Sequence, residues 1–269
     1  MDPTLHLATM PLWLSGAIIV GGITLLALLG PVLTRRFIAY ERLSANNEVA
    51  GFKFATLGVV YAVLLAFAVI VVWEKFRDAE EAVSQEAGAL AALYRLSIGL
   101  DTEAQTRLRT ALARYTESAI TEDWPAMARG TASRDTTRAL TEAYAAALTL
   151  DPSHPRGEPI LSAILDQLDQ LTTARRKRLG LATGVVPGIL WTVLYLGAIL
   201  TIGFTFFFGT ENLRAQALMS AMLALVISMS LYVVVVVDHP FTGSVSVPPE
   251  ALEAVQNAFA DAALGGAHR

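Results

Sequence analysis

Four stretches of this chain stay apolar for about the 20 residues that cross a 30 Å hydrocarbon core at 1.5 Å per residue. They run over residues 11–33, 54–73, 185–208 and 215–237, and none of them contains an Asp, Glu, Lys or Arg. Each predicts a transmembrane helix. The first stops at Arg35 and Arg36, and the second lies between Lys53 and the pair Glu74, Lys75. The third follows the basic run Arg175, Arg176, Lys177, Arg178, and the fourth ends at Asp238, His239, Pro240. Only residues 209–214 separate the last two, which predicts a helical hairpin. The leader, residues 1–10, lacks the basic start of a cleavable signal, so the first run is expected to be a permanent span.

Between the second and third runs the pattern changes. Residues 74–184 are charged and rich in alanine, with a helical period throughout. Phe76, Ala79, Val83, Ala87, Leu90, Tyr94 and Ser97 recur along one face, so the second span is expected to continue as a helix into water. Asp101 or Thr102 caps the next helix, whose face carries Leu108, Leu112, Tyr115 and Ala119 and which Trp124-Pro125 closes. A third helix runs through Leu140, Tyr144 and Leu148. The three prolines and glycine of residues 151–159 predict a loop. A last helix with Ile160, Ile164, Leu168 and Leu171 is expected to merge with the third span. The architecture read from the pattern is all-α, polytopic, with four spans and a helical aqueous domain inserted between the second and third. Its parts are 1–73, 74–184, 185–237 and a tail, 238–269, that packs on the helical domain. In that tail the prolines after SVSV suggest an extended strip. A final amphipathic helix, residues 249–264, would dock Leu252, Val255 and Phe259, as a packing tail or as a clasp between subunits.

Composition agrees with lipid as the solvent: 54% of residues are hydrophobic, 16% are charged and the mean hydropathy is +0.50. The net charge of -4 is too small to direct the chain to nucleic acid, and the lack of cysteine removes disulfides, thiolate chemistry and cysteine-based metal sites. The four histidines, His6, His154, His239 and His268, stand in four regions without metal-ligand spacing, so neither a metal nor a cofactor is expected. Glu80, Glu81 and Glu86 with Arg77 and Arg95 read as a solvated helix face. Gly180, Gly184 and Gly188 form GxxxGxxxG, a spacing that lets membrane helices approach closely, and Pro187 is placed to kink that helix entry. Nothing here assembles an enzyme. Trp13, Trp73 and Trp191 lie where aromatic rings anchor span ends in the headgroup layer. Basic residues divide on orientation: Arg35, Arg36, Arg42 and Lys53 argue for the first loop inside, and Lys75, Arg77 and Arg175 to Arg178 for the helical domain, six against four.

The second span also carries a resemblance. LLAFAVIVVWEKFRDAEEAV, residues 64–83, resembles the second-helix signature of bestrophin-like membrane proteins. With NNEVAGFKFATLGVVYAVLLAF before it, EAGALAALYRL after it and HPFTGSVSVPPEAL in the tail, the chain is similar to an uncharacterised bacterial family of bestrophin-like domains. The resemblance implies a homo-oligomer, pentameric in bestrophins, whose second helices line an ion pathway in the bacterial inner membrane, with the helical domain and both termini cytoplasmic. Val59, Val63 and Phe67, at i, i+4 and i+8, would form an apolar neck that gates by dewetting, with Asn46, Asn47 and Glu48 near one mouth. Packing against lipid or another helix accounts for the same stripe equally. Bacterial bestrophins carry polar and basic residues where this chain has Ala68, Val69, Ile70, Val71 and Val72, so a lumen there would be greasy. The tail has no counterpart of the acidic calcium cluster of animal bestrophins, and calcium gating is not expected. Three functions remain: an ion channel passing inorganic anions or weakly selective, a non-conducting scaffold or sensor whose helical domain binds a partner, and a solute transporter, which would want a charge at the midplane that no span supplies.

Overall fold

The computed structural model describes residues 11–150, 157–184 and 186–266. The helices are α1 (Leu12–Phe37), α2 (Tyr40–Ser44), α3 (Asn47–Leu96), α4 (Thr102–Ser118), α5 (Trp124–Met127), α6 (Arg134–Leu148), α7 (Gly157–Leu181), α8 (Gly188–Phe204), α9 (Leu213–Val237) and α10 (Glu250–Gly266). Among the described residues, four helices are long and apolar enough to cross a membrane: α1, α3, α8 with the turn after it to Phe207, and α9. The protein is all-helical and polytopic. The leader expected over residues 1–10 and most of the expected loop at 151–159 lie outside the described residues.

Two compact units form. The first gathers residues up to Glu74, Gly184–His239 and Gly243–Val245. In it α1 packs along α9, and glycines face rings both there and between α8 and α3. The Tyr232 ring lies 3.4 Å from where a Cβ on Gly16 would stand, and its hydroxyl donates to the Leu12 carbonyl at 2.7 Å. A Cβ on Gly197 would stand 2.5 Å from the Tyr61 ring, whose hydroxyl donates to the Leu194 carbonyl at 3.1 Å. The two hydroxyls thus find partners within the chain, as polar groups in a spanning bundle require. Residues Ala17–Gly21 of α1 form a π turn, and Pro31 sits inside the helix.

The second unit contains Lys75–Thr183, Pro240–Thr242 and Ser246–Arg269. Its core is the apolar face of the α3 extension (Leu90, Leu93) against Leu108, Leu112 and Tyr115 of α4, Ala143 of α6, and Ile164, Leu168 and Leu171 of α7. Leu252 and Phe259 of α10 are buried in the same cluster, with Phe259 stacked on Tyr94 at 4.4 Å. The last helix thus packs on this unit within its own chain. In the strip before it, Phe241 and Val247 are buried, and the Trp124 indole donates to the Val247 carbonyl at 3.2 Å.

The expected continuity of the second span holds: α3 runs 50 residues without a break. Asp101 caps α4, accepting from the Glu103 and Ala104 amides at 3.0 and 2.9 Å. Three local expectations change. Trp124-Pro125 does not close α4; the chain passes through a π turn, Ala119–Asp123, into α5, where Pro125 occupies a first-turn position that needs no amide. Likewise Pro159 falls in the first turn of α7, so the helix begins at Gly157 rather than after the proline. α7 does not merge with the third span, because it stops at Leu181 and Pro187, with ψ of 144°, caps α8.

Candidate functional site

On α3, Tyr61, Leu65, Ala68 and Val72 are buried against the rest of the first unit. At 100° per residue their mean direction defines the back of the helix. Val59, Val63 and Phe67 point about 190° away from it, and they are 65%, 49% and 63% exposed. Among the described residues, Val63 and Phe67 thus face away from the buried side of α3, while Val59 also lines a groove shared with Thr201 of α8 and Val226 and Ile227 of α9.

Of the three residues expected at a mouth, Asn46 and Glu48 are exposed. Asn47 is committed elsewhere. Its amide nitrogen donates to the Gly209 carbonyl at 2.6 Å and its oxygen accepts from the Gly209 amide at 3.0 Å, which clamps the start of α3 to the turn between α8 and α9. Gly209 is obligatory there, since a Cβ would stand 2.5 Å from the Ser44 amide nitrogen. Arg35 donates to the neighbouring Thr210 carbonyl and lies 4.8 Å from the Tyr40 ring.

The glycines at 180, 184 and 188 do not bring two helices together within the chain. They straddle the break between α7 and α8, and a Cβ on Gly180 or Gly188 would meet nothing within 4 Å. Gly184 has a different use: a Cβ there would stand 2.9 Å from the His239 imidazole.

The second unit holds a charge cluster that the helical pattern alone misplaces. Glu86, expected on a solvated face, is fully buried, as are Asp123 and Arg178, and Arg175 is 6% exposed. Arg178 donates through Nε to Glu86 at 2.6 Å, and through one terminal nitrogen to Glu86 at 2.9 Å and Asp123 at 3.3 Å. Arg175 reaches Asp123 at 2.8 and 3.2 Å. Tyr115 donates to Glu86 at 2.6 Å, and the Arg178 guanidinium stacks 4.6 Å from the Trp124 ring. The π turn that carries Asp123 shifts the register of the helix at the point where its carboxylate enters the cluster. Burial and the Glu86 charge push the Tyr115 hydroxyl well above its usual range, against the pull of Arg178. Burial opposes the charged form of Arg178, but Glu86, Tyr115 and Asp123 together hold it above its ordinary value. Such a cluster is stable because every charge has an opposite partner at hydrogen-bond distance.

Placing Arg175 and Arg178 in this cluster also removes them from the membrane-edge count. The basic residues not buried at the domain edge fall from six to four, Lys75, Arg77, Arg176 and Lys177, of which Lys75 and Lys177 pair with Asp78 and Glu81, so the count no longer favours this edge over the first loop.

A family model described as a Bestrophin-like domain matches residues 21–252. The chain belongs to the bestrophin-like family. No curated protein matches it. Among solved structures, a bacterial bestrophin homologue from Klebsiella pneumoniae, phased by Zn-SAD, is 18% identical, with 90% of this chain and 97% of that chain covered and a TM-score of 0.68. A single-substitution variant of a Klebsiella pneumoniae homologue gives 16% identity, 90% and 96% coverage and a TM-score of 0.73. At such identities the likeness is one of fold.

Proposed function

We propose that this protein is a homo-oligomeric ion channel of the bestrophin type, most simply a pentamer, that passes inorganic anions or is weakly selective. Val59, Val63 and Phe67 form its apolar neck, Asn46 and Glu48 lie near one mouth, and Asn47 holds that end of α3 in place. The supporting observation is the direction of the stripe: on a spanning helix Val63 and Phe67 turn away from the packing of their own subunit and Val59 stays exposed beside a groove, as a lumen-lining face requires. An apolar ring gates by dewetting and discriminates weakly by charge, which fits a broad anion or unselective pathway. In this reading the protein sits in the bacterial inner membrane with the helical domain and both termini on the cytoplasmic side and works as a channel rather than an enzyme, a reading that its membership of the bestrophin-like family supports.

The test joins two measurements on detergent-solubilised protein: the particle mass, then chloride flux after reconstitution into liposomes. An oligomer with flux is the expected result. A protomer-sized particle without flux overturns the channel and leaves a membrane scaffold whose helical domain binds a partner.

A further inference from the structure

Followed along its length, the exposed front of α3 is apolar in the middle and acidic at both ends. With the mean direction of Val59, Val63 and Phe67 as the front, Phe52, Ile70 and Glu74 lie about 20° from it and Glu48 about 60°, and all four are exposed. The lysines beside these ends are turned aside. Lys53 and Lys75 point about 80° and 120° away from the front, and Lys75 is paired with Asp78 at 3.3 Å.

Among the described residues neither Glu48 nor Glu74 has a side-chain hydrogen bond or ion pair. Their charges are uncommitted within the chain. Along the helix Glu74 stands about 10.5 Å beyond Phe67, and Glu48 about 16.5 Å before Val59.

We infer that the carboxylates of Glu74 and Glu48 set the charge preference of the pathway, which favours monovalent cations over chloride. The inference rests on the channel proposed above and narrows its ion class to weak selectivity with a cation bias. An apolar neck strips water from ions of either sign, so the choice falls to the nearest charged groups. In an oligomer one carboxylate from each subunit converges at each end of the stripe, and rings of Asp or Glu select for cations. Low-dielectric walls focus such a field and enrich the counter-ion about ten-fold or more. Distance ranks the two rings. Exposed charges act over about 8–10 Å at ordinary ionic strength, so Glu74 reaches the neck, whereas Glu48 works at its own mouth. Arg77 opposes Glu74 from the next turn of the helix, but at about 15 Å from Phe67 it is too distant to cancel the field at the neck.

Reversal potentials of the reconstituted full chain in a potassium chloride gradient test the inference. Near 0.1 M salt the wild type should prefer potassium over chloride by about ten-fold. Glu74→Gln should bring the two permeabilities close to parity, Glu48→Gln should lower the preference by less, and Arg77→Gln should raise it. Glu74 is exposed and unpaired, so Glu74→Gln should keep the particle mass of the wild type. In about 1 M salt, where screening shortens to about 3 Å, the wild type should approach the Glu74→Gln value. A wild type that prefers chloride overturns the inference and leaves the channel standing. So does a cation preference that survives Glu48→Gln/Glu74→Gln or is indifferent to salt. A wild type without current removes the channel, and the inference with it.

Discussion

Glu86 and Arg178 meet through two charge-assisted hydrogen bonds, 2.6 and 2.9 Å, with neither side chain reaching solvent. Removing one of two buried partners strands the other, which costs about 3–5 kcal/mol. Glu86→Leu should therefore lower the thermal midpoint of the solubilised protein sharply. Glu86→Leu/Arg178→Leu should cost less than the sum of the two single changes, because the double variant leaves neither member of the pair as a stranded buried charge. Additive losses in a thermal-denaturation cycle would show that the pair is not coupled.

Tyr115 supplies a pH prediction. Its hydroxyl is held above the ordinary value near 10 by burial and by Glu86. The stability this confers is complete below about pH 10. As pH rises further, the unfolded chain releases a proton that the folded chain keeps, so stability drains away toward the raised folded value. Tyr115→Phe should remove that alkaline loss and cost about 1.5–3 kcal/mol near neutral pH through the lost bond to Glu86. Melting curves at about pH 8 and about pH 10.5 check both effects.

Asn47→Ala separates clamp from mouth. It deletes two hydrogen bonds to Gly209 and leaves that backbone amide and carbonyl unmatched, at about 2–3 kcal/mol. The expected outcome is a lower yield of folded protein with unaltered ion selectivity in what remains. Altered selectivity at full stability would return Asn47 to the pathway.

Phe67→Ala addresses the neck. Shortening one ring of an apolar constriction should raise single-channel conductance on the order of two-fold or more, or shift its open fraction. Currents identical to wild type in planar bilayers would place the neck elsewhere on α3.

The spans were legible because an uncharged apolar run of bilayer length is rarely tolerated anywhere but in lipid, and the unbroken α3 was legible in the helical period that crosses Trp73. The charge cluster was not. A carboxylate on an amphipathic helix reads as solvated until its partner arrives, and Glu86 finds Arg178 from 92 residues away. The same separation hid the Asn47 clamp, whose partner is a backbone group 162 residues on. The break ahead of α8 had a local signal in Pro187, which biases its predecessor away from helix, but the glycine spacing around it suggested one continuous packing surface. The pore stripe was readable as a stripe, since its spacing is a property of the helix. Its direction needed the packed unit, because only burial of Tyr61, Leu65, Ala68 and Val72 says which side of α3 is the back.

The buried quartet has a further consequence. Two formal positive charges, Arg175 and Arg178, face two formal negative ones, Glu86 and Asp123, and all four are sealed from solvent. Counterions screen exposed charges over about 8–10 Å but penetrate little into a dry interior. The share of stability that this quartet supplies should thus change little from dilute buffer to molar salt, while exposed pairs of the same unit such as Arg114–Glu142 weaken. In a changing ionic atmosphere the buried quartet would hold the helices together while the surface charge around it is screened.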